Sequence, residues 1–524
     1  MNRNRLAAID IGTNSIRSIV VQVTKDGSFR VLDDEKATVR LGEGLAATGR
    51  IAPAAWERAL TALVRMKKIV DGYGVMAVEA VATSAVRKAK NGEAFIRAVA
   101  DAVGVAVTVI SGEEEAELAA HSVRNHFELE GARYGMVDIG GGSLEIATAV
   151  GSHIEEIYSL ELGAVFLTDT FLAAEPLKQP DHARLVRHVR GSLKGALGSD
   201  RHQLTCLVGS GGTITSIATM IMAMRGEGYG SVHRYEVLRS DVVHLLAMLL
   251  RKDLKQRREI PGLNPDRADI IIAGVTVVDE LMRFFNANLL RVNERGIREG
   301  LIIRSLGKHG FLPGVAGPPT WRETVLSFAR SCHVDEEHAL QVVRLSLAIF
   351  DALDPVYRFG EQARRLLEAA AILHDVGYFI NYSCHHKHSY HLIRHADLFG
   401  FTPREREIIA NIARYHRKSL PKRKHESFNR LAADDRLLVS RLGGILRLAD
   451  GLDRRRNSFI SALQCTVGDG TVILNLDSRY ELSVELFGGK LKGDLFEEAF
   501  RTKLLLIGQA APHQHSSASM EASS

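Results

Sequence analysis

Residues Gly135–Val150 read GMVDIGGGSLEIATAV. The apolar run ending in Asp138 predicts a strand, Gly140, Gly141 and Gly142 predict a turn, and the residues after Ser143 alternate as a second strand. Glycines carry no Cβ, so the backbone N–H groups of such a turn can approach phosphate oxygens, and Asp138 at its mouth could hold Mg²⁺ against them. A plain glycine-rich hairpin turn would look the same. The pattern recurs, however, in Ile9–Ile19, IDIGTNSIRSI: Asp10, Gly12 and Ser15 precede Asp138, Gly140 and Ser143 by a constant 128 positions (138 − 10, 140 − 12, 143 − 15). Two strand-turn-strand loops predict two related halves closing on one anionic ligand. Neither loop opens a helix, so neither is a Walker loop or a Rossmann fingerprint.

The 524 residues suffice for three or four domains, and 46% hydrophobic with 25% charged residues is an ordinary globular composition. No apolar run is long enough to span a bilayer, and the start MNRNRLAAIDIG passes straight into a strand, so no signal peptide is expected. Cys206, Cys332, Cys384 and Cys465 are far apart and form no metal-type pair, which fits a reduced, cytoplasmic protein. The net charge of +5 is mild, but residues 404–456 hold 15 Lys/Arg against 7 Asp/Glu, including Arg414, Arg417, Lys418, Lys422, Arg423 and Lys424. That excess is either a solvated helical face or a track for a polyanion.

Between the two loops, Val75–Ala82 reads as a buried strand emptying into TSAVRK, where Arg87 and Lys88 could meet an anion or form a surface basic pair. Val105–Ile110 is another strand, followed by SGEEEAELAAHSVRNHF. Ser111 and Glu114 form a capping box. Glu113, Glu117, His121, Arg124 and Glu128 fall on the wet face of this helix. Glu115 shares its stripe with Leu118, Ala119 and Val123, on the inward side. A buried carboxylate is costly, and burial raises its pKa, as a general base requires; a buried ion-pair residue is the alternative. Further on, the strand Leu204–Val208 leads into Gly209, Ser210, Gly211, Gly212 and Thr213 before a helix, an arrangement suited to anions. Strands and helices alternate to residue 309, an α/β pattern. GFLPGVAGPP (310–319) reads as a linker, and beyond it helices are predicted over 321–350, 361–376, 388–398, 403–416 and 434–453. Residues 459–508 return to strands, and the tail from residue 509 is low-complexity and expected to be disordered.

With DIGTNS, TSAVRKAKNG, SGEEEAE, DIGGGSLE and GSGGT in this order, the chain resembles the exopolyphosphatase / guanosine pentaphosphate phosphohydrolase (Ppx/GppA) family. The resemblance implies two actin-like (ribonuclease H-like) ATPase-fold domains, residues 1–133 and 134–309. An all-α HD-like domain (320–458) and a small α+β appendage (459–508) would follow. It implies Glu115 as the base activating water, and Asp138 and Glu145 around Mg²⁺ or Mn²⁺ and the phosphates. Asp10, Gly12, Thr13, Asn14 and Ser15 would form the first phosphate loop and Gly140, Gly141, Gly142 and Ser143 the second, with Arg87 nearby. In the helical part, AAILHDVGYFINYS, KHSYHLI and ARYHRKSLP look like the third domain of longer members. There His338, His374, Asp375 and Asp450 have the order of an HD metal site, which His388 and His416 could enlarge; an inherited scaffold without metal is the other reading.

The expected activity is removal of terminal phosphate from inorganic polyphosphate by metal-assisted attack of water. The alternatives are conversion of guanosine pentaphosphate to tetraphosphate and a non-catalytic polyphosphate or nucleotide sensor. A homodimer is expected, with no nucleic acid and no integral membrane contact.

Overall fold

The computed structural model describes residues 4–24, 27–129, 131–174, 177–198, 203–311, 320–468 and 470–510. The chain forms two compact units, one up to residue 318 and one from residue 319. The expected linker lies at this division, and its residues 312–319 fall outside the described ones, as do residues 511–524 of the expected tail.

The first unit repeats one plan. Strands β1 (Arg5–Ile11), β2 (Ser15–Val23) and β3 (Phe29–Thr38) form an antiparallel meander, and β4 (Ala77–Ala82) and β5 (Val107–Val109) add in parallel beside β1, giving the order β3-β2-β1-β4-β5. Strands β6 (Arg133–Ile139), β7 (Leu144–Val150) and β8 (His153–Leu160) repeat the meander. Beside β6 lie β9 (Cys206–Ser210), β11 (Leu289–Val292) and β10 (Glu236–Leu238), in the order β10-β11-β9-β6-β7-β8. The central strands β1 and β6 are buried along nearly their whole length, which is why they read as continuous apolar runs. Strands β3 and β8 (FRVLDDEKAT, HIEEIYSL) are too polar to be legible. They form because an antiparallel neighbour satisfies their backbone, and their polar side chains face water.

Two helices exchange places between the halves. Gly112–His126, encoded before β6, packs on β6, β7 and β8, whereas Ile297–Lys308, encoded after β11, returns to β1, β2 and β4. Ala120 and Val123 accordingly share a core with Tyr134 and Met136, while Leu301 and Ile302 share one with Leu6, Ala8 and Ile19. The two helices also cross closely: a Cβ on Gly300 would lie 2.2 Å from the carbonyl oxygen of Leu118. At the start of Gly112–His126 the Glu114 N–H donates to Ser111 Oγ at 3.0 Å and the Ser111 N–H to Glu114 Oε2 at 3.3 Å, completing the capping box.

The second unit packs helices Trp321–Ser331, Glu336–Tyr357, Gly360–Leu373, His385–His395, Pro403–Arg414 and Ala433–Leu452. The helical stretch expected over 321–350 is two helices, because His333 is left-handed (φ 56°) and Asp335 caps the second by accepting from the His338 N–H at 3.2 Å. Then come β12 (Ile460–Gly468), β13 (Thr471–Ser478), helices Ser483–Lys492 and Asp494–Phe500, and β14 (Lys503–Ala510). Strand β13 pairs antiparallel with β12 and parallel with β14. Ile460, Leu474 and Phe496 share one core with Leu367 and Leu446, so this segment is built into the helical unit's own core. Among the described residues no helix is long and apolar enough to cross a membrane.

Candidate active site

In the first unit the two glycine turns close alike: the Gly12 N–H donates to Ser15 O at 3.2 Å and the Gly140 N–H to Ser143 O at 3.1 Å. The registers match as well, with Asp10 opposite Arg17 and Asp138 opposite Glu145. The turns abut. A Cβ on Gly141 would lie 2.9 Å from Thr13 Cβ, and one on Gly142 2.6 Å from Ser84 Oγ, so any larger residue would push the loops apart. With Gly211 and Gly212 they line a cleft of about 500 Å³.

One side of the cleft is acidic. Glu115 is 5% exposed at the start of its helix, and burial, reinforced by Glu145 and Asp10 against Arg87, raises its carboxyl well above the usual range. Burial likewise lifts Asp10 to about 6, Asp138 to about 7 and Glu145 to about 8. Asp10 Oδ1 is buried with no hydrogen-bond partner. Arg17, Arg267 and Arg298 also line the cleft, Arg298 paired with Asp34, another lining residue. Burial and the charge of Arg17 push Arg267 down to about 10, and burial with Arg298 lowers Arg17. Buried carboxylates and crowded guanidinium groups in one cleft are chemically suited to an anion together with a divalent cation.

The raised carboxylates carry a pH signature. Each binds its proton more tightly folded than unfolded, so the stability it contributes is present below the unfolded value near ~4 and is lost as pH rises through ~6 to ~8. A divalent cation bound among them would relieve that loss. The increase in melting temperature on adding Mg²⁺ to metal-free protein should therefore be larger at pH 8 than at pH 5. An equal increase at both would separate these carboxylates from the ion.

Asp10, Gly12, Thr13, Asn14, Ser15, Glu115, Asp138, Gly140, Gly141, Gly142, Ser143, Gly211 and Gly212 all line the cleft. Glu145 and Ser210 sit behind it, beside Asp138, with Glu145 Oε1 accepting from Ser159 Oγ at 3.0 Å. Arg87 reaches Glu115 from outside the lining, Nη1 to Oε2 at 3.4 Å, and donates to Ile110 O at 2.6 Å. Gly209 and Thr213 pack instead: a Cβ on Gly209 would meet Ile214 and Leu290, and Thr213 lies against Gly274. Sequence reading missed the three arginines. Arg17 alone carried a signal, since it stands 128 positions (145 − 17) before Glu145.

In the second unit His338, His374, Asp375 and Asp450 come together, joined by His416 and by His385, which takes the place expected of His388 one helical turn later. The groups form two trios, His338–His374–Asp450 and Asp375–His385–His416. Burial lowers His338, but Asp450 and Asp453 outweigh it and lift the imidazole to about 9, whereas burial lowers both His385 and His416. Of the basic stretch, Lys418, Lys422, Arg423 and Lys424 are exposed. Arg414 is half-buried, donating to Ser427 Oγ at 2.9 Å and lying over Tyr390 and Tyr415, and Arg417 stacks on Tyr382.

Residues 19–309 match the model of the Ppx/GppA phosphatase family, and residues 321–486 that of Ppx/GppA phosphatase domain III. Exopolyphosphatase 2 of Mycobacterium tuberculosis is 34% identical over 326 residues, 60% of this chain and 98% of the relative. An exopolyphosphatase from Cytophaga hutchinsonii superposes with a TM-score of 0.55 at 27% identity, covering 59% of this chain and 100% of that one. The Aquifex aeolicus Ppx/GppA family member gives 0.51 at 29% identity, covering 58% and 98%. Paired glycine loops on an actin-like fold, a buried glutamate between them and these matches lead to one conclusion: the chain belongs to the Ppx/GppA phosphatase family and is a phosphoanhydride hydrolase.

Proposed function

We propose that the protein is an exopolyphosphatase, releasing the terminal phosphate of inorganic polyphosphate by attack of water. The observation that carries this reading is Glu115, buried with a raised carboxyl in the same cleft as two phosphate-type loops. Backbone N–H groups of the loops, with the Thr13, Ser15 and Ser143 hydroxyls, would donate to phosphate oxygens, and Arg17, Arg267 and Arg298 would offset the remaining charge. Glu115 accepts the proton of the attacking water at a carboxylate oxygen and orients its lone pair, while Arg87 steadies the side chain. Asp10, Asp138 and Glu145 suit a hard divalent ion such as Mg²⁺ or Mn²⁺: all are oxygen donors, their raised pKa values favour a cation, and Asp10 Oδ1 lacks a partner. When bound, that ion would neutralise charge on the phosphate oxygens.

Polyphosphate is favoured over guanosine pentaphosphate because the cleft lining, among the described residues, is mostly charged groups, glycines and small side chains, with Ile139, Ile270 and Ile297 but no aromatic ring on which guanine could stack. Phosphate release from long polyphosphate, triphosphate and guanosine pentaphosphate tests the reading. The highest kcat/KM is expected on polyphosphate. A higher value on guanosine pentaphosphate would transfer the assignment to that substrate, and release from none would leave a binding protein.

The exposed Lys422, Arg423 and Lys424 are suited to holding further phosphates of a long chain. Replacing all three by Gln should raise KM for long polyphosphate several-fold, most at low salt, and leave triphosphate kinetics unchanged. A KM change shared by both substrates would show that the triplet acts on the protein's stability instead.

A further inference from the structure

The second unit holds a group of acceptor atoms with no proton between them. His385 Nδ1 lies 3.1 Å from Tyr382 O, and His416 Nδ1 lies 2.6 Å from Ala413 O. A carbonyl oxygen only accepts, so each Nδ1 carries the proton and each Nε2 presents a lone pair. Those two Nε2 atoms face one another at 3.1 Å, with Asp375 Oδ1 at 3.3 Å from the first and 3.7 Å from the second. Three acceptors thus converge on one point, where neutral imidazoles and a carboxylate repel one another. A fourth lone pair stands beside them: His374 Nδ1 is bonded to Ala371 O at 2.7 Å, and its buried Nε2, 3.5 Å from Asp375 Oδ2, makes no hydrogen bond.

From this geometry we propose that Asp375, His385 and His416 ligate a first-row divalent transition metal of the zinc type, separate from the phosphate cleft. Ligands ~2.0–2.1 Å from a tetrahedral zinc stand ~3.3–3.4 Å apart, and the three separations here bracket that value. Imidazole-rich donors suit zinc, iron or nickel, unlike the all-oxygen group of the first unit. The surroundings hold the ligands in place. Arg456 binds Asp375 Oδ2 at 2.5 Å, which leaves Oδ1 for the ion, and the backbone carbonyls fix both imidazole tautomers. The adjoining trio is looser: His338 Nε2 and His374 Nε2 lie 3.5 and 4.0 Å from Asp450 Oδ1, and Lys492 occupies Asp450 Oδ2. His385, His416 and Asp375 are each no more than 5% exposed in their side chains. Asp375 follows helix Gly360–Leu373, His385 opens helix His385–His395 and His416 follows helix Pro403–Arg414, so an ion here would tie three helices together.

The test uses the full chain, stripped with a chelator, exposed to Zn²⁺ and desalted. Elemental analysis should find about one equivalent retained that His385→Gln combined with His416→Gln loses, and Zn²⁺ should raise the melting temperature of the parent protein only. X-ray absorption of the zinc-loaded parent should show at least two imidazoles, a reading that stands even if the double variant fails to fold. No retained zinc, equal retention by a folded double variant, or an all-oxygen shell would each overturn the proposal.

Discussion

Glu115→Gln is expected to lower turnover on polyphosphate by ~10²-fold or more while changing substrate affinity little. The amide keeps the size of the carboxylate but cannot take a proton from water. Burial has already made this position costly for a charge, and nothing in helix stability requires it there. Its neighbour is the control. Glu114 caps the helix through the Ser111 N–H, so Glu114→Gln should cost ~1 kcal/mol or less and leave kcat within a few-fold. Steady-state kinetics with thermal melts on both variants separates the roles, and the reverse pattern would make Glu114 the base.

Gly163→Ala is expected to reduce kcat/KM by ~10²-fold, on the scale of losing a pre-oriented backbone donor, with only a modest loss of stability. Gly163 has an ordinary φ of −73°, so the effect is steric. A Cβ there would lie 2.4 Å from the backbone of Gly142 and Ser143. The residues after it hold the same loop in place, the Ala164 N–H donating to Gly140 O at 3.0 Å and the Val165 N–H to Gly141 O at 2.9 Å. One methyl group therefore moves the phosphate loop bodily. Gly191→Ala, in the exposed middle of helix Gln179–Leu197 with nothing within 4 Å, should be neutral or stabilising by ~0.5–1 kcal/mol. Full activity in Gly163→Ala would mean the loop does not depend on this contact.

These two positions also mark where sequence reading works and where it stops. Asp10, Gly12, Asp138 and Gly140 were legible because a strand and its turn are local and the repeat offset is constant. Glu115 was legible because helical periodicity assigns each side chain a face. Gly163 was not, since its neighbours lie twenty residues away and no local pattern marks a glycine needed for close approach. Arg267 reaches the cleft only because its turn folds over Gly212, where a Cβ would meet the guanidinium at 1.9 Å. Arg298 arrives on the helix that crosses back to the first sheet. His385 was passed over for His388 because the helix begins at His385, and only its actual start decides which histidine turns inward.

That crossing of helices bears on how the cleft could open. The proposed base, Glu115, is encoded in the first half, but its helix packs on the second half's sheet, so the chain passes between the halves at 110–111 and through 293–296. A rotation about those two segments would carry Glu115 along with Asp138 and the second loop, and away from Asp10, the first loop and Arg87. Opening would then leave the base in register with one loop while parting it from the other and from its guanidinium. Such a hinge makes proton transfer conditional on closure, with no separate lid required.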